Sequence, residues 1–315
     1  MSIIFKPTFI NSVNKITGII YPKSEVIKIE RLHGGIDNQV FLINLLNAQK
    51  ASEKIILKLR RKELSDIEPN AYGKQYKLLS MLYEAGLPVQ LPLWYDTIGE
   101  LFGTQAIALS YLDGNPTLSP INKVTWVKQL GEALAKIHCF DISKYDMSFL
   151  TSRDKETECL LSNAPEKKII EEHPNGKVMW DILNKNWFEI KKEPRTLIHQ
   201  DYHPGNIIFN KNTLSGVIDW DGASIGHPTY DVSHNRVDLA MQFGQDVADL
   251  FLEAYEKAIG YKLKEIFFWD IHRAWAALPN YKYWIPAMHG IGRLDLNEQN
   301  MGERLNIFIH NAINQ

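Results

Sequence analysis

Hydrophobic and polar positions change their spacing about one third of the way along the chain. Before residue 110 the pattern favours strands, because VIKIERL alternates and the apolar runs VFLINLL and KIILKLR follow it, with turn residues between. GLPVQLPLWYD and TQAIALSYL predict two further strands. Apolar residues recur at helical spacing from Tyr72 to Tyr83, which predicts a helix over 70–84. We therefore expect residues 1–110 to form an antiparallel sheet with one helix.

After residue 110 the spacing becomes helical. Residues 124–138 are amphipathic, with Trp126, Leu130 and Leu134 on one face. The same type of pattern recurs around 178–190, 246–258, 269–278 and 303–312. Between these helices, residues 198–231 read as short strands and loops that are dense in polar side chains. The chain is therefore expected to have two parts, a β-rich lobe over 1–110 and a mostly helical lobe over 111–315.

Composition narrows the class of protein. The chain is 45% hydrophobic and 23% charged, which is the balance of a folded globular protein. Its formal charge of -2 shows no basic excess, so a nucleic-acid partner is not expected. Two cysteines, Cys139 and Cys159, exclude a disulfide framework. No apolar stretch is long enough to cross a bilayer and the first residues do not resemble a signal peptide, so we expect a cytoplasmic protein without a membrane partner.

The strongest chemical signal is the segment HQDYHPGN at residues 199–206. Asp201 and Asn206 have the spacing of the catalytic loop H-R-D-x-x-x-x-N, in which a carboxylate meets the acceptor hydroxyl and an amide holds a metal ion beside the phosphates. A second metal ligand is expected from another strand, and Val217-Ile-Asp219-Trp-Asp221 supplies it. The apolar residues IIF and VI predict a hairpin that would bring Asp219 close to Asn206.

HQDYHPGNIIF and GVIDWDGASIGHPTYD together resemble the aminoglycoside phosphotransferase and choline kinase family, which has a protein-kinase-like fold. The resemblance implies a two-lobed α+β protein, with an antiparallel β-sheet N-lobe that carries one helix and a mostly α-helical C-lobe. It also implies Mg2+-assisted transfer of the γ-phosphoryl group of ATP to a hydroxyl of a small molecule. Residues 1–110 would then be the nucleotide-binding lobe, and residues 111–315 would carry the catalytic loop and the acceptor site.

The resemblance also implies a role for each residue of these two segments. Asp201 matches the catalytic base, and Asn206 and Asp219 match the magnesium ligands. Asp221 matches a further metal ligand in relatives that have paired acids, or else it bonds local backbone N–H groups. His199 matches the histidine of the catalytic loop, which has a structural role. Asp231 matches an aspartate that holds the catalytic loop in place through the backbone of the loop.

In the N-terminal part, Lys58 in IILKLR matches the strand lysine that contacts the α- and β-phosphates. Alternation places it opposite Leu57 and Leu59 but does not say which face is buried. Kinases pair this lysine with a helix glutamate, and here Gln75 occupies that position, so that either Gln75 substitutes, Glu68 reaches the lysine, or the alignment is shifted. The remaining candidates for nucleotide contacts are Gly34 and Gly35 in GGIDN, Ser110 and Leu112 in the hinge-like ALSYL, and Ile218.

The acceptor is less well defined by the sequence. Aromatic residues are concentrated between 267 and 284, and such a stripe either belongs to the core or stacks on a substrate. The candidates for acceptor contacts are Trp269, Trp275, Tyr281 and Trp284. Residues 230–315 have only a small acidic excess, which argues against a polycationic acceptor.

Two other functions compete with the kinase. His199, Asp201 and His203 could form a hydrolase metal site, since imidazole and carboxylate groups bind zinc or manganese. This hypothesis leaves Asn206 and Asp219 without a role, and tightly bound zinc would support it. The chain could also be a nucleotide-binding module without catalysis, although Lys58, Asp201, Asn206 and Asp219 are all present.

Overall fold

In the computed structural model, the described residues are 5–32, 38–163, 167–290 and 292–315. The chain divides into two compact units. The first unit comprises residues 1–113 and 216–221, and the second comprises residues 114–215 and 222–315. Gly34 and Gly35, the predicted phosphate-loop glycines, lie outside the described residues.

The first unit is built on a five-stranded antiparallel sheet with the strand order β1-β2-β3-β5-β4. Its strands are β1 (Glu25–Leu32), β2 (Asn38–Leu46), β3 (Ser52–Arg60), β4 (Pro92–Asp96) and β5 (Ala106–Ser110). Its helices are α1 (Pro7–Ile20), α2 (Lys62–Ile67) and α3 (Ala71–Glu84). Helix α3 is the one that the sequence predicted, while α1 and α2 were not predicted. The apolar side chains of α1 recur at helical spacing, so this part of the pattern was overlooked.

The sheet is buried on both faces at β3. Val13 and Ile16 of α1 pack with Leu57 and Leu59 in the hydrophobic core of this unit. Because side chains alternate along a strand, Lys58 projects to the opposite face, and it too is buried. The structure thus answers the question that alternation left open, since Leu57 and Leu59 face the core and Lys58 faces away from α1.

The segment 216–221 joins the first unit by a close backbone approach. The Val217 N–H donates to the Pro88 carbonyl oxygen at 2.7 Å. A Cβ atom at Gly216 would lie 2.9 Å from that same oxygen, which explains the glycine at this position. The segment therefore carries Asp219 and Asp221 into the first unit.

The second unit is mostly helical. Its helices are α4 (Lys123–His138), α5 (Arg153–Ser162), α6 (Lys167–Glu172), α7 (Gly176–Ile190), α8 (Thr229–Phe243), α9 (Gln245–Ile259), α10 (Ile266–Ala277), α11 (Tyr281–Gly290) and α12 (Glu298–Ile313). Its short strands are β6 (Asn115–Pro116), β7 (Thr196–Ile198), β8 (Ile207–Asn210) and β10 (Ser224–Gly226), and β9 (Thr213–Val217) leads into the segment 216–221. Strands β8 and β9 are neighbours in a sheet, which confirms the predicted hairpin.

Helix α8 is buried along almost its whole length although it is rich in polar residues. Asp231, His234 and Asp238 recur at helical spacing, which places them on one face of α8. Arg236 is buried in an ion pair with Asp270, with a shortest nitrogen–oxygen distance of 3.0 Å. The ion pair compensates these two charges inside the core.

Within the parts of the chain that the structure describes, no helix combines the length and apolar character needed to cross a membrane.

Candidate functional site

The first unit contains a buried cluster of charges around Lys58. The Lys58 ammonium donates to Asp219 Oδ1 at 2.9 Å and to Asp221 Oδ1 at 2.7 Å. Burial alone would lower the pKa of Lys58, but the two carboxylates outweigh it and the pKa is raised. The lysine is therefore charged at neutral pH. An ammonium has three N–H donors, and these two bonds use two of them.

Asp221 is held by side chains from three other elements. Gln75 Nε2 donates to its Oδ1 at 2.5 Å, and Asn38 Nδ2 donates to its Oδ2 at 2.7 Å, in addition to the bond from Lys58. Tyr72 extends the network, because its hydroxyl donates to Asn38 Oδ1 at 2.7 Å. Both oxygens of Asp221 are thus occupied by donors, and none of these bonds is with the local backbone.

Neither candidate partner from the first helices bonds Lys58 in this structure. Gln75 turns its amide nitrogen to Asp221, and its amide oxygen is buried with no hydrogen-bond partner among the described residues. Glu68 binds Arg60 at 3.2 Å and Lys74 at 2.9 Å. Two aspartates that lie far along the chain take the place of the helix glutamate, because they supply the negative charge that an amide lacks.

Asp219 is presented by a strained backbone. Its φ is 65°, in the left-handed region that residues other than glycine rarely adopt. Its side chain is 40% exposed, whereas Lys58 is only 9% exposed. Trp220 is buried beside it and donates from Nε1 to the Val217 carbonyl at 3.0 Å. The surrounding contacts hold Asp219 in this conformation, a pattern that is common where function requires one orientation.

The hinge-like segment has its main-chain groups partly occupied. The Ser110 N–H donates to the Leu91 carbonyl at 2.8 Å, and the Ser110 carbonyl accepts from Gln90 Nε2 at 2.8 Å. Leu112 lies beyond β5, where its side chain approaches Gly216. Ile218 lies in the segment 216–221, directly before Asp219. The roles of Ser110, Leu112 and Ile218 in nucleotide binding stay predictions.

The second unit contains Asp201 and Asn206 on one short loop. Residues Pro204–Asn206 form a 3-10 turn, which His203 caps by accepting the Gly205 N–H at its Nδ1 at 3.2 Å. The turn brings the side chain of Asn206 back to Asp201. Asn206 Nδ2 donates to the Asp201 carbonyl at 3.0 Å and to Asp201 Oδ2 at 2.9 Å. This direction of donation leaves the amide oxygen of Asn206 pointing away from Asp201.

Two histidines lie against the carboxylate of Asp201. His203 Nε2 is 3.6 Å from Oδ2, and His234 Nε2 is 3.4 Å from Oδ1. Burial raises the pKa of Asp201, but the hydrogen bonds from these histidines outweigh it, so that the pKa is lowered. Burial also lowers the pKa of His234, to about 4. At neutral pH, Asp201 is therefore a carboxylate and His234 is a neutral N–H donor to it.

Asp231 fixes the backbone that precedes Asp201. It is fully buried and accepts the His199 N–H at 2.6 Å and the Gln200 N–H at 2.8 Å, while His138 Nε2 lies 3.3 Å away. These donors keep the pKa of Asp231 low, although burial acts to raise it. Gln200 has a φ of 71°, so this bond holds a strained residue directly before Asp201. His199 is buried as well, and its Nδ1 accepts the Asp201 N–H at 3.3 Å.

Asp238 is a further acid near this loop that the sequence analysis did not single out. It is buried one α-helical turn beyond His234 and accepts from Gln242 Nε2 at 2.6 Å. Burial raises its pKa to about 6. The sequence carried a signal for this face of α8, because D-x-x-H-x-x-x-D has the spacing of one side of a helix.

The candidate acceptor aromatics are distributed over different environments. Trp269 is completely buried and packs edge-on against Trp187 and Phe268, so it belongs to the core. Trp275 is almost buried, and its ring lies 5.2 Å from that of Trp180 at the edge of a cavity. Tyr281 lines a different cavity, together with residues of α12. Trp284 lies on α11 and is half-buried.

Two of the three predicted metal ligands have side-chain oxygens that suit a divalent metal ion. Magnesium binds oxygen ligands, and the carboxylate of Asp219 and the outward amide oxygen of Asn206 are of this type. Asp221 fits less well, because side-chain donors occupy both of its oxygens. Among the described residues, no group of three or more His, Cys, Asp or Glu side chains has the geometry to hold a metal ion. The structure thus places no such group at His199, Asp201 and His203, the residues of the hydrolase hypothesis.

Residues 28–275 match the model of a family described as the phosphotransferase enzyme family. The chain is 24% identical over 223 residues to the rat protein acyl-CoA dehydrogenase family member 11, covering 66% of this chain and 28% of that protein. It is 28% identical over 221 residues to homoserine kinase of Rhizobium rhizogenes, covering 68% of this chain and 64% of that enzyme. The chain thus spans less than a third of the first of these relatives.

Solved structures share the fold over nearly the whole chain. A crystal structure described as a putative aminoglycoside phosphotransferase from Ralstonia eutropha has a TM-score of 0.64 at 13% identity and covers 97% of both chains. A thermostable mutant of an aminoglycoside phosphotransferase in ternary complex with ADP and hygromycin B has a TM-score of 0.61 at 15% identity, covering 95% of this chain and 98% of that one. These likenesses confirm the kinase-like α+β fold that the two central motifs predicted.

Proposed function

Because this chain belongs to the phosphotransferase enzyme family, we propose that it transfers the γ-phosphoryl group of ATP to a hydroxyl group of a small molecule. One observation carries the proposal: Asp201 is an ionised carboxylate, held by Asn206 and by a braced backbone, and its side chain is still 52% exposed. A solvent-exposed carboxylate that is fixed in this way can contact the hydroxyl group of an acceptor molecule. The presence of ADP in one structure of the same fold supports a nucleotide as the donor.

In the proposed reaction, Asp201 orients the acceptor hydroxyl and accepts its proton. The hydroxyl oxygen forms a bond to the γ-phosphorus while the bond from that phosphorus to the bridging oxygen breaks, so that ADP leaves. His234, which is neutral, donates to Oδ1 of Asp201 while Asn206 donates to Oδ2, and these two donors fix the orientation of the carboxylate. Catalysis of this type depends mainly on position, and the two anchored ends of the loop supply it.

In the first unit, we propose that Lys58 contacts the phosphates. It is charged and buried, and one of its three N–H donors is not used by Asp219 or Asp221. The two aspartates fix the position of the ammonium group, which then needs no reorganisation when a nucleotide binds. Asn38, Gln75 and Lys58 together hold Asp221 in place, so we assign it the role of positioning Lys58.

For the metal ion, we propose Asp219 and Asn206 as ligands, as the resemblance of the two central motifs implies. When bound, magnesium would offset the negative charge that develops on the phosphate oxygens. The backbone strain at Asp219 and the two bonds donated by Asn206 orient their oxygens before any ion arrives. Because homoserine kinases are among the relatives, homoserine is one candidate acceptor.

The test is ATP turnover measured as ADP release, with and without each member of a panel of hydroxyl acceptors. We expect release to depend on an acceptor, and Asp201→Asn to lower kcat at least about a hundredfold. Asp181→Asn is the matched control, since Asp181 is an exposed aspartate on α7 in the same unit. If Asp201→Asn keeps the turnover of the unaltered protein, Asp201 is not the base. If the protein binds ATP but releases no ADP with any acceptor, it is a nucleotide-binding module.

A further inference from the structure

A second set of charges in the second unit surrounds a cavity of about 400 Å³. Arg153 of α5 and Arg273 of α10 both line it. Both guanidinium groups also lie against the ring of Tyr230, at 4.5 Å and 4.7 Å from its centre, and Arg273 Nη1 donates to the Tyr230 hydroxyl at 2.5 Å. Tyr230 therefore positions two cations at one cavity.

The donors of this cavity are not all satisfied. Nε of Arg153 and Nε of Arg273 are buried and have no hydrogen-bond partner within the described part of the chain. Both ring nitrogens of His272, which lines the cavity beside Arg273, also lack a partner among the described residues, and one of them carries the N–H donor of the neutral ring. Unpaired buried donors cost about 1–3 kcal/mol each, so a ligand that accepts from them would be stabilised.

The charges of this region are unbalanced. Arg153 pairs with Glu156, which also lines the cavity. Across the described ranges, Arg273 makes no ion pair with a carboxylate; its hydrogen bond is to a tyrosine hydroxyl. Burial, followed by the charges of Arg273 and Arg153, lowers the pKa of His272 well below its usual value, so this histidine stays neutral at physiological pH. The cavity therefore has an excess of positive charge.

The cavity is connected to the loop of Asp201. Arg153 Nη1 donates to Gln200 Oε1 at 3.0 Å, and Gln200 directly precedes Asp201. Tyr230 lies one helical turn before His234, the residue that contacts Asp201. One turn of helix rises about 5.4 Å. An acceptor that contacts Asp201 with its hydroxyl and the two arginines with its other end therefore needs several bonds between these two groups.

We propose that the acceptor is a hydroxycarboxylate, whose carboxylate is bound by Arg153 and Arg273 while its hydroxyl meets Asp201. This inference rests on the proposed function, because it names the acceptor class for that reaction. Guanidinium groups match carboxylates in both charge and geometry. Trp180 and Trp275 provide an apolar wall of the same cavity for the carbon chain between the two ends.

The test compares acceptors that differ only in charge. The probes are straight-chain ω-hydroxycarboxylates from hydroxybutyrate to hydroxyoctanoate, the matching carboxamides, and the matching amino alcohols. ADP release is measured for each, together with probe binding by calorimetry in the presence of a non-hydrolysable ATP analogue. We expect kcat/KM for the best carboxylate to exceed that of its carboxamide at least about tenfold.

The variant is Arg273→Gln, because Arg153 also holds the catalytic loop through Gln200. We expect it to raise KM for the carboxylate about tenfold or more, to leave kcat within a few fold, and to remove the preference over the carboxamide. Arg61→Gln, at an exposed arginine of the first unit, should change none of these values.

The outcomes separate the two proposals. If carboxamides or amino alcohols are turned over as well as carboxylates, or if Arg273→Gln keeps the preference, the acceptor class is wrong and the phosphotransferase stands. If no probe is turned over but carboxylates bind and Arg273→Gln abolishes binding, the carboxylate site stands and the phosphotransferase proposal fails. If the protein neither turns over nor binds any of the carboxylates, the inference is overturned.

Discussion

Replacing Asp231 by asparagine tests how the catalytic loop is held. The substitution keeps the shape of the side chain but removes its charge. Asp231 is completely buried and accepts two main-chain N–H groups, from His199 at 2.6 Å and from Gln200 at 2.8 Å. An asparagine has one oxygen and one NH2 group, so it can accept well from only one of these donors, while the other faces an amide nitrogen.

The magnitude follows from these contacts. A hydrogen bond to a charged group contributes about 1.5–3 kcal/mol and a neutral one about 0.5–1.5 kcal/mol, and a buried donor left without a partner costs about 1–3 kcal/mol. One weakened bond and one lost bond thus predict that Asp231→Asn lowers the free energy of unfolding by about 3 kcal/mol. Gln200, which adopts a left-handed backbone next to Asp201, would lose part of its support, so kcat should also fall.

Urea unfolding followed by tryptophan fluorescence measures the change. With a slope of about 3 kcal/mol/M, the midpoint should fall by about 1 M urea. Asp181→Asn, on the exposed side of α7, should leave the midpoint in place. If Asp231→Asn unfolds within about 0.5 kcal/mol of the unaltered protein, these hydrogen bonds do not hold the loop.

Two further substitutions test one buried charge in each unit. Burial raises the pKa of Asp238 to about 6, so the folded protein binds its proton more tightly than the unfolded chain and loses stability as the pH rises from about 4 to 6, by up to about 3 kcal/mol. Asp238→Asn should therefore be more stable than the unaltered protein at pH 8 and similar to it at pH 4, and an unchanged pH profile of unfolding would contradict this. Lys58→Met leaves Asp219 and Asp221 without their cation, so it should cost about 3 kcal/mol in urea unfolding and abolish ATP binding in calorimetry. A Lys58→Met variant that binds ATP normally would remove Lys58 from the nucleotide site.

The sequence predicted best those elements that have one solvent-exposed face and one buried face. In helix α4, Trp126, Leu130 and Leu134 are buried and the lysines are exposed. The helical period of its hydrophobic residues was therefore visible in the sequence. Helix α8 was not predicted, since it is buried almost all round and many of its buried residues are polar. Asp231 is the last residue of the segment that the sequence predicted as strands and loops, and His234 and Asp238 lay outside every predicted element.

The candidate site was predictable in its residue types and less so in its contacts. Asp201 and Asn206 are five residues apart, so one short turn brings them together and local spacing was enough. The partners of Lys58 lie more than 160 residues away, and only the folded chain shows that they are Asp219 and Asp221. In the same way, only the folded chain shows that Arg153 and Arg273 line one cavity, because they come from two helices that are distant in sequence.

The most direct measurement of the central claim follows the phosphoryl group itself. The protein is incubated with magnesium, the acceptor that gives the highest ADP release, and ATP that carries an oxygen isotope label on the γ-phosphate, and the acceptor is analysed by mass spectrometry. Transfer to a hydroxyl predicts a phosphate ester that contains the label, and predicts that Asp201→Asn forms it at least about a hundredfold more slowly. Labelled inorganic phosphate without any ester, or an ester formed equally fast by Asp201→Asn, would contradict the account.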